Sequence, residues 1–161
     1  MAADYFLKID GIDGESTKKG FENQIEIESF SWGATQSTSQ ATGSGSGSGK
    51  VDMQHFSFTT KINKSSPKLM VACATGQHIP SAILTARKAG GKQEEYLKWK
   101  LSDIVVSSYQ TGGSAGSDTV PTDQFSLAFS KIVTEYKPQD AKGGLGAAVT
   151  AGYDLKTMSK V

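Results

Sequence analysis

Period-two alternation of apolar and polar residues recurs in run after run along this chain, while a single stretch carries the marks of a helix. Successive side chains on a strand point to opposite faces, so apolar residues at every second position are built to bury one face of a sheet. Tyr5, Leu7 and Ile9 have that spacing, with Phe6 and Lys8 opposed to them. Phe56, Phe58 and Ile62 repeat it in a run from Val51 to Ile62, and Ala82, Leu84 and Ala86 do so between Ser81 and Lys88. Leu97, Trp99 and Leu101 open a long run from Glu95 to Gln110; Phe125, Leu127 and Phe129 start a strand that runs on towards Tyr136. Val149, Ala151, Tyr153 and Leu155 mark a last strand within 147–157. The helix signal is Ser65 or Ser66 as N-cap, Pro67 in the first helical position, then KLMVACAT and Gly76 as terminator. Leu69, Met70 and Cys73 are expected on its packed face. About seven strands with one short helix exclude parallel α/β winding, whose crossovers each need a helix, and predict a mainly β fold, a two-sheet sandwich or barrel.

Two breaks of phase refine this. Ile25 and Ile27 share one parity whereas Phe30 and Trp32 share the other, which requires a bulge or bend near Ser29 and turns Ser31 away from the aromatic side. In the long run the apolar residues change parity at Ser102 and Asp103, which predicts a second bend. Between the runs on either side of it lies Ser39–Gly49, SQATGSGSGSG, with four Gly in eleven residues. Such a segment has little apolar area to offset its ordering entropy, so it reads as a linker or a functional loop.

At 161 residues the chain is expected to form one domain, residues 1–161. A net charge of +1 is too small for neutralisation of phosphates to carry binding, so no nucleic-acid partner is expected. The first twenty residues contain no apolar run behind a basic segment, and no span of about 18 apolar residues occurs anywhere. The expectation is a chain made in the cytoplasm without a cleaved signal peptide and without membrane insertion. A single cysteine, Cys73, leaves no internal disulfide to form.

Catalytic chemistry is not in evidence. The glycine run precedes a strand-like VDMQHFSF, whereas a dinucleotide fingerprint must open a helix. His55 and His78 with one cysteine are too few and too scattered for a zinc site. Cys73 sits among Val71, Ala72 and Ala74 near the end of the helix, away from the cationic neighbour that a reactive thiolate needs. Glu26 with Glu28, and Glu94 with Glu95, read as solvated positions. No enzyme, no cofactor and no metal are expected.

The strings YFLKIDGIDGES, ESFSWG, GSGSGSGKV, FSFTTKINKSSPKLMVACATGQHIPSAILTARKAGG and EYLKWKLSDIVVSSYQTGGS, taken together, resemble the hemolysin-coregulated protein (Hcp) family of type VI secretion systems. The resemblance covers Met1 to about Tyr153, with departures in the 111–121 loop and the 137–147 tail. It implies a β-barrel-like pair of sheets with one flanking helix, assembling as a hexameric ring. Rings of that family stack into a tube that a contractile sheath drives outward behind a spike protein, with small effector proteins in the lumen. Carried over by position, Ser31 in SWG faces the lumen and Ser114 in TGGSAG lies near it. The turn around Gly90 and the region around Lys156 become ring-stacking contacts. The glycine loop, through Gly43, Gly45 and Gly47, is expected to join them because its exposed backbone N–H and C=O groups need partners, which a neighbouring ring would supply. The chain stops at Val161 with no effector domain expected beyond it, and the product is expected to be cytoplasmic when assembled and then secreted. Strands apolar on both faces, as where Phe6 lies beside Tyr5 and Leu7, would leave a sticky surface for a closed ring to hide. The competing reading is a monomeric β-sandwich that binds a carbohydrate-type ligand through exposed aromatics such as Tyr109 and Trp99.

Overall fold

The computed structural model describes residues 3–37, 50–89, 92–116 and 118–161. In chain order these form β1 (Ala3–Ile9), β2 (Ile25–Ile27), β3 (Ser29–Ser31), β4 (Ala34–Gln36), β5 (Val51–Met53) and β6 (Phe56–Lys61). The helix α1 (Ser66–Thr75) follows, then β7 (Ile79–Lys88), β8 (Glu95–Gly112), β9 (Thr122–Ala128), β10 (Lys131–Tyr136), β11 (Val149–Asp154) and β12 (Ser159–Lys160). The first sheet has the order β12-β11-β10-β8-β7-β1-β2; β3, β6, β9 and the second half of β8 make the other, and β4 pairs with β5 as a separate ribbon. All the pairings are antiparallel.

Both expected bends are corners where the backbone passes from one sheet to the other. The first falls at Glu28, between β2 and β3, where the Glu28 amide donates to the Thr59 carbonyl at 2.8 Å. The second is Asp103, whose φ of +53° is uncommon outside glycine. Residues of β8 before it pair with β7 and β10, Ile104 just after it still pairs with Ile79 of β7, and residues from Val105 on pair with β9. Neither sheet closes on itself, so the fold is an open pair of sheets joined through bent strands, the arrangement in which corners are made by strands that change sheet. A third crossing, between β9 and β10 at Phe129 and Ser130, splits what reads in sequence as one strand. The run from Val51 to Ile62 is likewise two strands parted by Gln54 and His55.

The core lies between the sheets. Leu7, Ile9, Ile25, Leu84 and Leu101 meet Phe56, Phe58, Phe125 and Leu127, with Leu69 and Ala72 of α1 against the same cluster. Phe56 stacks on Phe58 at 5.0 Å and Phe58 on Phe125 at 5.2 Å between ring centroids. Each such side chain contributes about 1.5–3 kcal/mol by leaving water. Gly76 ends α1 with φ +64°, its amide directed at the last-turn carbonyls, as the sequence predicts. The packed face agrees with expectation at Leu69 and Cys73, both against the core, and differs at Met70. Ser66, Leu69 and Ala72, three apart, are buried, whereas Met70 is 52% exposed and Val71 50%. One residue turns the helix by about 100°, so Met70 cannot share the seam of Leu69.

Phe6 also departs from expectation. It is buried within its own chain, where Phe21 stacks on it at 4.3 Å and the Arg87 guanidinium lies 5.0 Å from its ring. It therefore leaves no sticky surface. Ile62 and Val149, expected on buried faces, are 42% and 64% exposed. Ile62 lies just past the end of β6, and β11 carries its face beyond the reach of the second sheet.

Candidate functional site: an uncharged sheet face

In the second sheet the aromatic residues point inward, so their neighbours must point out. Ser31 stands opposite Ser57, Ser57 opposite Ser126, and Ser126 opposite Ser108, a row of serines across all four strands. The next outward row is Ser29, Thr59, Gln124 and Gln110. A bulge between Val106 and Ser108 sets two residues of β8 against one of β9. The Ser126 Oγ consequently shares hydrogen bonds with both Ser107 Oγ at 2.7 Å and Ser108 Oγ at 2.6 Å. All residues of the two rows but Ser126, which is buried, line a shallow depression of about 360 Å³ together with Phe30, Phe58 and Phe125, and no lining side chain carries a charge. Hydroxyls and carboxamides both donate and accept, so this surface makes hydrogen bonds to neutral groups and offers neither a base nor a charged nucleophile.

Of the residues singled out in the sequence, Ser31 is exposed on this face. Ser114 is exposed too, but lies past the end of β8, outside the depression. Lys156 sits between β11 and β12, its Nζ 2.8 Å from Asp103 Oδ2. Gly43, Gly45, Gly47 and Gly90 lie outside the described residues. The ribbon of β4 and β5 makes the chain on either side of the glycine loop a hairpin arm. Sequence reasoning missed Ser57, Ser126 and Ser108, although a signal exists. Phe30-Ser31-Trp32, Phe56-Ser57-Phe58 and Phe125-Ser126-Leu127 are three copies of one pattern, and pairing brings their serines into line.

The aromatics of the competing reading are structural. Trp99 is half-buried against Phe30 at 5.1 Å and Phe56 at 5.7 Å. Tyr109 donates its hydroxyl to Asp123 Oδ1 at 3.1 Å, and burial, together with that carboxylate, raises its pKa above the usual phenol value. Asp123 is fully buried and also accepts from the Ser66 hydroxyl, which ties the start of α1 to β9. Among the described residues no group of three His, Cys, Asp or Glu side chains is placed to hold a metal ion, and no helix is long and apolar enough to cross a membrane.

A second and larger depression, about 760 Å³, lies at the β2 end of the first sheet. Asp4, Glu15, Glu26 and Glu28 line it against only Lys18 and Lys61, with Ile62 and Val120 at its apolar part. The opposite end of that sheet, β10 to β12, exposes Tyr136, Val149, Met158 and Val161.

The same chain of strands and corners occurs in known proteins. The family described as "Type VI secretion system effector, Hcp" matches residues 6–136. Protein hcp1 of Pseudomonas aeruginosa is 45% identical over 158 residues, 97% of either chain. The crystal structure of Hcp1 from Salmonella typhimurium is 37% identical with a TM-score of 0.81, all of both chains being covered. A solved type six secretion system protein is 31% identical with a TM-score of 0.93, over 99% of this chain and 100% of that one. With a family match spanning both sheet corners and a relative of this identity over nearly its whole length, the chain belongs to the Hcp family of type VI secretion system proteins.

Proposed function

We propose that this chain is the structural subunit of a type VI secretion inner tube, with the uncharged face of the second sheet turned to the lumen. The observation that carries this reading is the row Ser31, Ser57, Ser126 and Ser108. A hydrated, neutral wall holds a passing protein through hydrogen bonds that water can replace, and so both retains cargo and releases it. Small effector proteins are the cargo, with Ser31 in contact and Ser114 near the lumen. The subunits form a hexameric ring. Support comes from the unlike ends of the first sheet, one an acid-rich depression and the other an apolar margin with Lys160, because head-to-tail contact of two different surfaces closes into a ring. A standard interface of about 800 Å² per partner is within reach of such surfaces. Rings stack through the segments around Gly90, Gly43 to Gly47 and Lys156. A contractile sheath surrounds the stack, a spike protein tips it, and the subunit reaches the outside without a cleaved signal.

Light scattering and electron microscopy of the purified chain test the ring, for which about six times the 17.0 kDa subunit mass is expected. A strict monomer at high concentration rejects it. For the cargo, Ser31→Trp keeps the ring and loses co-purifying effectors; undiminished retention removes Ser31 from the contact surface.

A further inference from the structure

Asp103 occupies the corner where β8 changes sheet, in a left-handed backbone conformation that Asp enters more readily than most side chains. A glycine would meet the backbone requirement alone, so the carboxylate has its own task. Three elements send a donor to it. Lys156 Nζ, from the turn between β11 and β12, lies 2.8 Å from Oδ2; the Ser130 hydroxyl, from the turn between β9 and β10, lies 3.0 Å from the same oxygen. His78 Nε2, just beyond α1, lies 3.1 Å from Oδ1.

The turn that carries Lys156 has few other anchors. β12 pairs with β11 through only Tyr153 with Lys160 and Asp154 with Ser159. Asp154 Oδ1 accepts from the Lys156 amide at 2.8 Å, which shapes the turn but does not dock it. The Leu155 amide, donating to the Ser130 carbonyl at 2.7 Å, is the backbone tie to the rest of the fold at this turn, and it reaches the same corner.

The geometry points to Asp103 as a positioning residue: through Lys156 it holds the β11–β12 hairpin against the sheet corner, so that the Lys156 ammonium acts within its own chain. An exposed ion pair by itself contributes little, and the hydrogen-bond network at one carboxylate is what sets this one apart. The consequence for assembly rests on the tube reading. The hairpin carries the exposed Met158 and Val161, and Asp103 fixes where those apolar groups stand.

Hydrogen exchange at the amides of 153–161, read with tryptic cleavage after Lys156 and Lys160, tests the latch on Asp103→Asn, Lys156→Ala and the double variant. Exchange about tenfold faster in each single variant is expected, with no further loss in the double, because both changes remove one interaction. Unchanged protection in Asp103→Asn, or fully additive losses, overturns the latch. Lys156→Arg restores protection if the charge is what matters, whereas failure of that rescue also counts against it. Mass measured on the same samples separates the two ideas. Loss of rings in the variants supports the link to assembly, and intact rings with a loosened hairpin reject it. A parent chain that never forms rings overturns the tube reading, while exchange still decides the latch.

Discussion

At the scale of single residues, Asp103 and Asp123 show two ways in which one carboxylate serves this fold. The Lys156 ammonium, helped by the Ser130 hydroxyl, holds the Asp103 carboxyl down at about 2. Its folded value lies below the ordinary one, so its contribution to stability is present above the usual carboxylate range and is lost as pH falls through about 2. The side-chain carboxyl resonance of Asp103 should therefore titrate with a midpoint near 2, followed by carbon NMR. Asp123 is the buried case. Replacing it by alanine leaves the Ser66 and Tyr109 hydroxyls without their acceptor and should lower unfolding free energy in urea by about 2–4 kcal/mol. The serines of the three Phe-Ser-apolar triplets differ in exposure. Ser31 and Ser57 are exposed, whereas Ser126, in the third copy of the pattern, is buried beneath its hydrogen bonds to Ser107 and Ser108. Ser57→Asp should therefore leave the fold intact and put a charge on the neutral face, which on the tube reading weakens effector retention.

At the scale of elements, α1 separates what the sequence tells from what only packing tells. Its start, its proline and its glycine terminator are local backbone chemistry and are legible residue by residue. Its buried face is a matter of orientation towards β8 and β9: of Leu69, Met70 and Cys73, expected from spacing, Leu69 and Cys73 pack on the core and Met70 does not, while Ser66 and Ala72 complete the buried seam. Leu69→Ala should accordingly cost about 2–5 kcal/mol in denaturant unfolding, and Met70→Ala close to nothing. The two bends at Glu28 and Asp103 were legible because a change of parity cannot be accommodated by a straight strand. The crossing at Phe129 and Ser130 was not, because the change from Phe125, Leu127 and Phe129 to the even-numbered Ile132 is blurred by the adjacent Val133. Neither was the serine row beyond Ser31, since strand pairing aligns residues about thirty and about seventy positions apart and no local pattern encodes that register.

At the scale of the whole molecule, the two ends of the first sheet differ in chemistry while its centre is sealed between the helix, the second sheet and the segment that carries Phe21. A change at one end should alter association without altering the fold. Val149→Asp, on a side chain 64% exposed, is expected to leave the thermal midpoint within a few degrees and to shift the light-scattering mass towards a single 17.0 kDa chain. On the tube reading, the uncharged depression predicts that effector contacts made there vary little with ionic strength, because no lining side chain carries a charge to be screened.

The eighteen-residue β8 belongs to both sheets. In mechanical terms it is a load path: a force across the subunit wall runs along covalent backbone instead of across a packed interface between layers. The sheets therefore cannot delaminate as separate plates, and a subunit strained in this direction yields by bending at Asp103 or by opening one hydrogen-bonded ladder at a time.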